Sequence, residues 1–102
     1  MLVEYRTEKL RKYCTDFAAA SRKFGPDNAL RLQARISQLT AAASVEEMVA
    51  HHIGRCHALQ GRRAGQYALD LAHPLRLVFV PRDDGTVRVA AIWEIVDYHG
   101  KG

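Results

Sequence analysis

A run of ten residues near the C-terminal end, Val87 to Val96 (VRVAAIWEIV), is apolar almost throughout and is interrupted only by Arg88 and Glu94. A strand of this kind needs partners on both edges and cover on both faces, so it belongs inside a sheet rather than at its margin. It leads directly into Asp97, Tyr98 and His99. Three groups able to bind or move protons, mounted where a packed strand ends, have the rigid support that a reactive constellation requires.

Upstream of this strand the apolar residues alternate. Tyr67, Leu69 and Leu71 fall on one side with Gln66, Ala68 and Asp70 on the other, and Leu75, Leu77 and Phe79 then alternate with Arg76, Val78 and Val80. His73-Pro74 makes the turn between these strands, and Pro81 to Thr86 is a loop whose Asp84-Gly85 step predicts a hairpin. The first half has a different period. After a short strand at Leu2 to Tyr5, Thr7 caps a helix with a stripe at Leu10, Tyr13, Cys14 and Phe17, ended by Phe24-Gly25-Pro26-Asp27. Pro26 and Asp27 suit the first turn of a second helix, with Leu32, Ile36 and Leu39 inward and Arg31, Arg35 and Gln38 outward. Ser44-Val45-Glu46-Glu47 has capping-box spacing. The expectation is one α+β domain over residues 1–102, an N-terminal helical hairpin packed on a small antiparallel sheet.

At 102 residues and 48% hydrophobic content, the chain is long enough to bury a core without disulfides. Cys14 and Cys56 have no spacing signature, which predicts reduced thiols, with Cys14 in the core. The charged start, MLVEYRTEK, does not read as a signal peptide, and no apolar run is long enough to span a bilayer, so a soluble cytoplasmic protein is expected. The net charge is +4. More telling is its distribution: Met48 to Leu69 holds Arg55, Arg62, Arg63, His51, His52 and His57 and no acidic residue. A local positive field of this kind suits phosphate. The cluster of His51, His52, Cys56 and His57 fits no common zinc-finger spacing, so no metal and no cofactor is expected.

The ordered series Gly54-Arg55-Cys56-His57, Gly65-Gln66-Tyr67-Ala68-Leu69-Asp70-Leu71, Arg76-Leu77-Val78-Phe79 and Asp97-Tyr98-His99 resembles the HigB-type killer toxins of the RelE/ParE superfamily of toxin-antitoxin modules. The likeness spans the second half of the chain at motif level. It implies a ribosome-dependent endoribonuclease that cuts messenger RNA and halts translation. The implied partners are the ribosome, messenger RNA and a cognate helix-turn-helix antitoxin, with operator DNA reached only through the antitoxin and no membrane involved.

The implied reaction is attack of a ribose 2′-hydroxyl on the adjacent phosphate, which needs a base, an acid and cations. His99 suits acid or base chemistry near neutrality, Asp97 can orient it, and Tyr98 offers a phenol and a stacking surface. Arg76 is the candidate for transition-state charge, with Arg62, Arg63 and His57 gripping RNA phosphates. Many relatives carry Lys where this chain has Gln60, which leaves Arg62 or Arg63 to supply that charge. Plainer roles stand beside these: Asp97-Tyr98-His99 as a polar terminus, Arg76 paired with Asp70 or Glu94 across the sheet, Arg62 and Arg63 as a solvated turn, and Trp93 and Ile95 as core. Two other functions keep the fold, a ParE-like toxin that binds DNA gyrase without catalysis, and a degenerate module without toxicity.

Overall fold

The computed structural model describes residues 1–97. In chain order it forms β1 (Leu2–Tyr5), α1 (Glu8–Thr15), α2 (Phe17–Phe24), α3 (Pro26–Ala41), α4 (Val45–Ala50), β2 (His57–Ala58), β3 (Tyr67–Asp70), β4 (Leu75–Asp83) and β5 (Arg88–Asp97), with single 3₁₀ turns at Ile53–Arg55 and Gly61–Arg63. The helices come first and the sheet second, the expected α+β arrangement.

The helical half is set by caps. Thr7 Oγ1 accepts from the Leu10 N–H at 3.1 Å, and Ser44 Oγ accepts from the Glu47 N–H at 3.1 Å while Glu47 Oε1 accepts from the Ala43 N–H. The helix expected from Thr7 to Phe24 is broken at Asp16. That residue is extended (φ −120°, ψ 104°), receives the last turn of α1, and caps α2 by accepting from the Ala19 N–H. The apolar stripe conceals the break because it runs through it, and Phe17, placed in that stripe, is 40% exposed.

The sheet order is β1-β5-β4-β3-β2, all antiparallel except β1, which lies parallel to β5 with Val3 opposite Ala90. The expected antiparallel sheet is therefore mixed. β5 is internal as predicted, paired on both edges over Val89 to Ile92. The Asp84-Gly85 hairpin is also found, but the strands run further into it than expected, with Pro81 opposite Ala90. Proline is tolerated there because β3 has ended at Tyr67, opposite Phe79, and that edge of β4 needs no donor.

Leu77 pairs with Ile95 and Phe79 with Ile92, so Trp93 is the extra residue of a bulge. Without that extra residue one half of β5 would turn its apolar side chains to solvent. On the helix-covered face Leu32, Leu39, Met48, Leu69, Leu77, Phe79 and Ile92 are fully buried, and Cys14 joins them. Ile95 packs against this cluster, whereas Trp93 lies outside it and carries Arg6, whose guanidinium sits 4.7 Å from the ring centroid.

Tight burial also perturbs three weak acids. Desolvation pushes the Cys14 thiol up to about 12 and the Cys56 thiol up to about 11, and raises the Tyr5 phenol. The unfolded chain releases a thiol proton near pH 8.5, roughly, so it binds fewer protons than the folded chain above that pH. Stability is full below that pH and is lost as pH rises toward the folded values. Urea midpoints should hold steady from pH 7 to pH 8 and fall progressively above pH 9, with the fall reduced by Cys14→Ala.

Candidate functional site

The second face of the sheet carries short central side chains with charged ones around them. Ala68, Val78 and Val89 are buried, while Arg82 pairs with Glu4 at 2.8 Å, Arg63 with Glu94 at 3.0 Å and Arg76 with Asp70 at 3.4 Å. The resemblance implies a basic open face. Here each of these arginines faces a carboxylate, and at one end of the sheet Arg76 is joined by Arg55 and two histidines.

That end is a cleft of about 310 Å³ lined by His52, Arg55, Cys56, His57 and Arg76. Its construction can be followed residue by residue. Arg76 lies early in β4, opposite Asp70 at the end of β3, and β2 sets His57 opposite Ala68 one strand further out. His52 and Arg55 arrive on a tight segment with left-handed backbone at His52 (φ 53°), Gly54 (φ 59°) and Arg55 (φ 55°). Two non-glycine residues in that region cost about 1–3 kcal/mol each, a strain typical of segments shaped by what they present. Glycine suits position 54. A Cβ there would lie 2.9 Å from Arg35 Nε, on top of its unfavourable φ.

Arg35 was expected to point outward from α3. Instead it turns under this segment, where Nε donates to the Asp70 carbonyl at 2.7 Å and Nη1 to Gln38 Oε1 at 3.1 Å. Its pKa is lowered, first by desolvation and then by Arg31. The half-buried cation anchors the end of β3 from behind.

On the cleft side, the Asp70 carboxylate stands between two arginines, with Oδ2 3.1 Å from Arg55 Nε and Oδ1 3.4 Å from Arg76 Nε. The alternative pairing of Arg76 with Asp70 is thus present, while Glu94 pairs with Arg63 instead. Oδ1 is buried and makes no hydrogen bond. His57 Nδ1 lies 2.8 Å from the Arg55 carbonyl oxygen. A carbonyl only accepts, so Nδ1 carries the proton and Nε2 is the nitrogen able to take one up. Cys56 is buried with its thiol protonated, as its raised pKa requires, and offers no nucleophile.

The expected site residues therefore divide. Arg76 and His57 line one cleft. Arg62 and Arg63 lie on the Gly61–Arg63 turn, where Arg62 is exposed and Arg63 is occupied by Gln66 Oε1 at 2.8 Å and by Glu94. Gln60, just ahead of that turn, is exposed. Asp97 ends β5 at the same end of the sheet, but it pairs with Leu75, while Val96 pairs with Arg76. By register Val96 shares the open face with Arg76, and Asp97 stands on the other. Tyr98 and His99 lie outside the described residues. His52 is a cleft residue that no motif contains, although the acid-free interval held it; Arg55 stood in a motif without a role of its own, and Asp70, which meets Arg55 and Arg76 beside the cleft, entered only as a pair for Arg76. No group of three or more metal-ligating side chains occurs among the described residues, and no described helix is long and apolar enough to cross a membrane.

No family model matches the sequence, and no curated protein matches it. Among solved structures the chain is similar to a YoeB/ParE toxin from Agrobacterium tumefaciens, with a TM-score of 0.51 and 12% identity over 93% of this chain and 96% of that one. At that identity the likeness is one of fold, and it extends over the helical half as well as the sheet.

Proposed function

We propose that the chain is the toxin of a type II toxin-antitoxin system and acts as a ribosome-dependent endoribonuclease on messenger RNA. The observation that carries this reading is the cleft in which His52, Arg55, His57 and Arg76 converge, on a fold shared with a toxin. Imidazoles and guanidiniums are the groups that transfer a phosphodiester by its own 2′-hydroxyl. One imidazole removes the hydroxyl proton, a second acid protonates the departing 5′-oxygen, and cations stabilise the charge that gathers on the phosphorane. His57 is suited to the first step because its acceptor nitrogen is fixed as Nε2. Arg76 suits the third. His99, with Asp97 and Tyr98, remains the proposed source of the acid and of contacts to an unpaired base.

Flanking phosphates fall to Arg62, since Arg63 is engaged by Glu94 and Gln66. That makes Arg62 the residue that replaces the cation missing at Gln60. The proposed partners are the ribosome, messenger RNA and a helix-turn-helix antitoxin that blocks the cleft and carries the complex to operator DNA, in the cytoplasm and without cofactor.

Inducing the chain in growing cells tests this directly. Growth arrest should come with new messenger 5′ ends, and co-expression of a small helix-turn-helix protein encoded beside it should reverse both. Arrest with intact messenger and trapped gyrase–DNA complexes would replace the nuclease reading with a ParE-like one.

A further inference from the structure

We propose that Asp70 is the positioning residue of the cleft: it holds Arg55 and Arg76 as a spaced pair for phosphate, at some loss of affinity for that phosphate. The inference rests on the phosphodiester reading above and gives a role in it to a residue considered until now only as an ion-pair partner of Arg76. Asp70 is held more firmly than Arg55. Its backbone is fixed by the ladder to Arg76 on one side and by the Arg35 guanidinium on its carbonyl, and its side chain is only 25% exposed. The arginines it touches are long and flexible, and Arg55 has 76% of its side chain exposed. A rigid carboxylate between two such cations restricts both before substrate arrives, which is how a site avoids ordering them during the reaction.

The geometry also argues against a purely structural ion pair. Oδ1 is buried, and the Arg76 Nε that faces it stands 3.4 Å away, longer than a well-formed charge-assisted hydrogen bond, so the pair is not drawn tight for stability. Each guanidinium has five N–H donors and meets this carboxylate through Nε. Asp70 also places a negative charge beside the site a phosphate must enter. Position and charge therefore act in opposite directions, and that opposition makes the role measurable.

The test compares the wild-type chain with Asp70→Asn and Asp70→Glu. Affinity is read with a fluorescent, uncleavable 2′-O-methyl RNA oligonucleotide, rate with single-turnover cutting of ribosome-bound messenger, and order with the arginine Nε–H resonances. Asp70→Asn should bind the oligonucleotide roughly three- to tenfold more tightly, as expected for loss of one nearby like charge. It should nevertheless cut about tenfold more slowly, with the Arg55 and Arg76 resonances broadened. Asp70→Glu keeps the charge and moves the carboxylate, so its affinity should stay within about twofold of wild type while cutting slows. It also carries the test if the asparagine variant does not fold. Equal affinity for wild type and Asp70→Asn, or full cutting by Asp70→Glu, would overturn the inference and leave the phosphate cleft standing. Failure of the wild-type chain to cut ribosome-bound messenger would overturn both.

Discussion

Arg76→Ala is expected to slow single-turnover cutting of ribosome-bound messenger by about 10²–10³, with a much smaller change in ribosome association. A cation aimed at developing phosphorane charge acts mainly in the transition state, and losing one such donor in a water-poor site has a cost of this size. Arg62→Ala should behave differently. An exposed arginine on a turn contributes through counterion release, so its loss should weaken association and flatten the salt dependence while bound complexes still cut at nearly the normal rate. Arg63 is engaged by Glu94, so Arg63→Ala should change salt dependence less than Arg62→Ala. Loss of association in Arg76→Ala with cutting unimpaired on complexes that do form would make Arg76 an RNA grip and leave the transition-state charge to Arg55.

Phe79→Ala should cost about 3–5 kcal/mol, which lowers the melting temperature of a domain this size by about 12 °C or more. Phe79 is fully buried, stacks on Tyr67 with ring centroids 5.9 Å apart, and pairs with Ile92 next to the Trp93 bulge. Phe17→Ala is the informative comparison. Its ring belongs to the apolar stripe by sequence yet is 40% exposed beyond the Asp16 break, so its loss should stay within about 1 kcal/mol. Urea unfolding of the two variants measures both, and similar losses would mean that α1 and α2 form one continuous helix after all.

The parts of this fold legible in the sequence are those fixed by local chemistry. Thr7, Ser44 and Pro26 mark helix starts because caps and proline act on adjacent backbone, and the alternation from Tyr67 to Phe79 fixes two strands because its period is that of a pleat. What escaped depends on distant partners. β1 pairs in parallel with β5 across nearly the whole chain, and no local pattern records that choice. The Trp93 bulge is set by register against β4, and Arg35 reads as outward because a long cation at the border of an apolar stripe can turn either way. The break at Asp16 leaves no mark in the periodicity, because the apolar stripe continues through it to Phe17.

The candidate site shows the same division. Arg76 and the acid-free interval around His57 stood out by type and position, since a basic residue in an apolar strand and an unbroken positive segment are both local facts. The Arg76–Asp70 pair was legible as a cross-strand alternative, but the arrival of Arg55 on the same carboxylate was not, because it depends on left-handed backbone at His52 and Arg55, a conformation their residue types do not announce. The division of Arg62 from Arg63 depends on Glu94, which reaches the Gly61–Arg63 turn only once β5 is in place.

The most direct measurement of the central claim is the chemistry of the cut ends. Purified protein should be mixed with ribosomes carrying a defined messenger, in chelator sufficient to bind free divalent metal once the complexes have formed and been fixed in place by an elongation block. Attack by a 2′-hydroxyl leaves a 2′,3′-cyclic phosphate on one fragment and a 5′-hydroxyl on the other, and these are the ends expected, lost in Arg76→Ala and absent without ribosomes. Intact messenger on ribosomes that bind the protein, or fragments that carry 5′-phosphates, would contradict that claim.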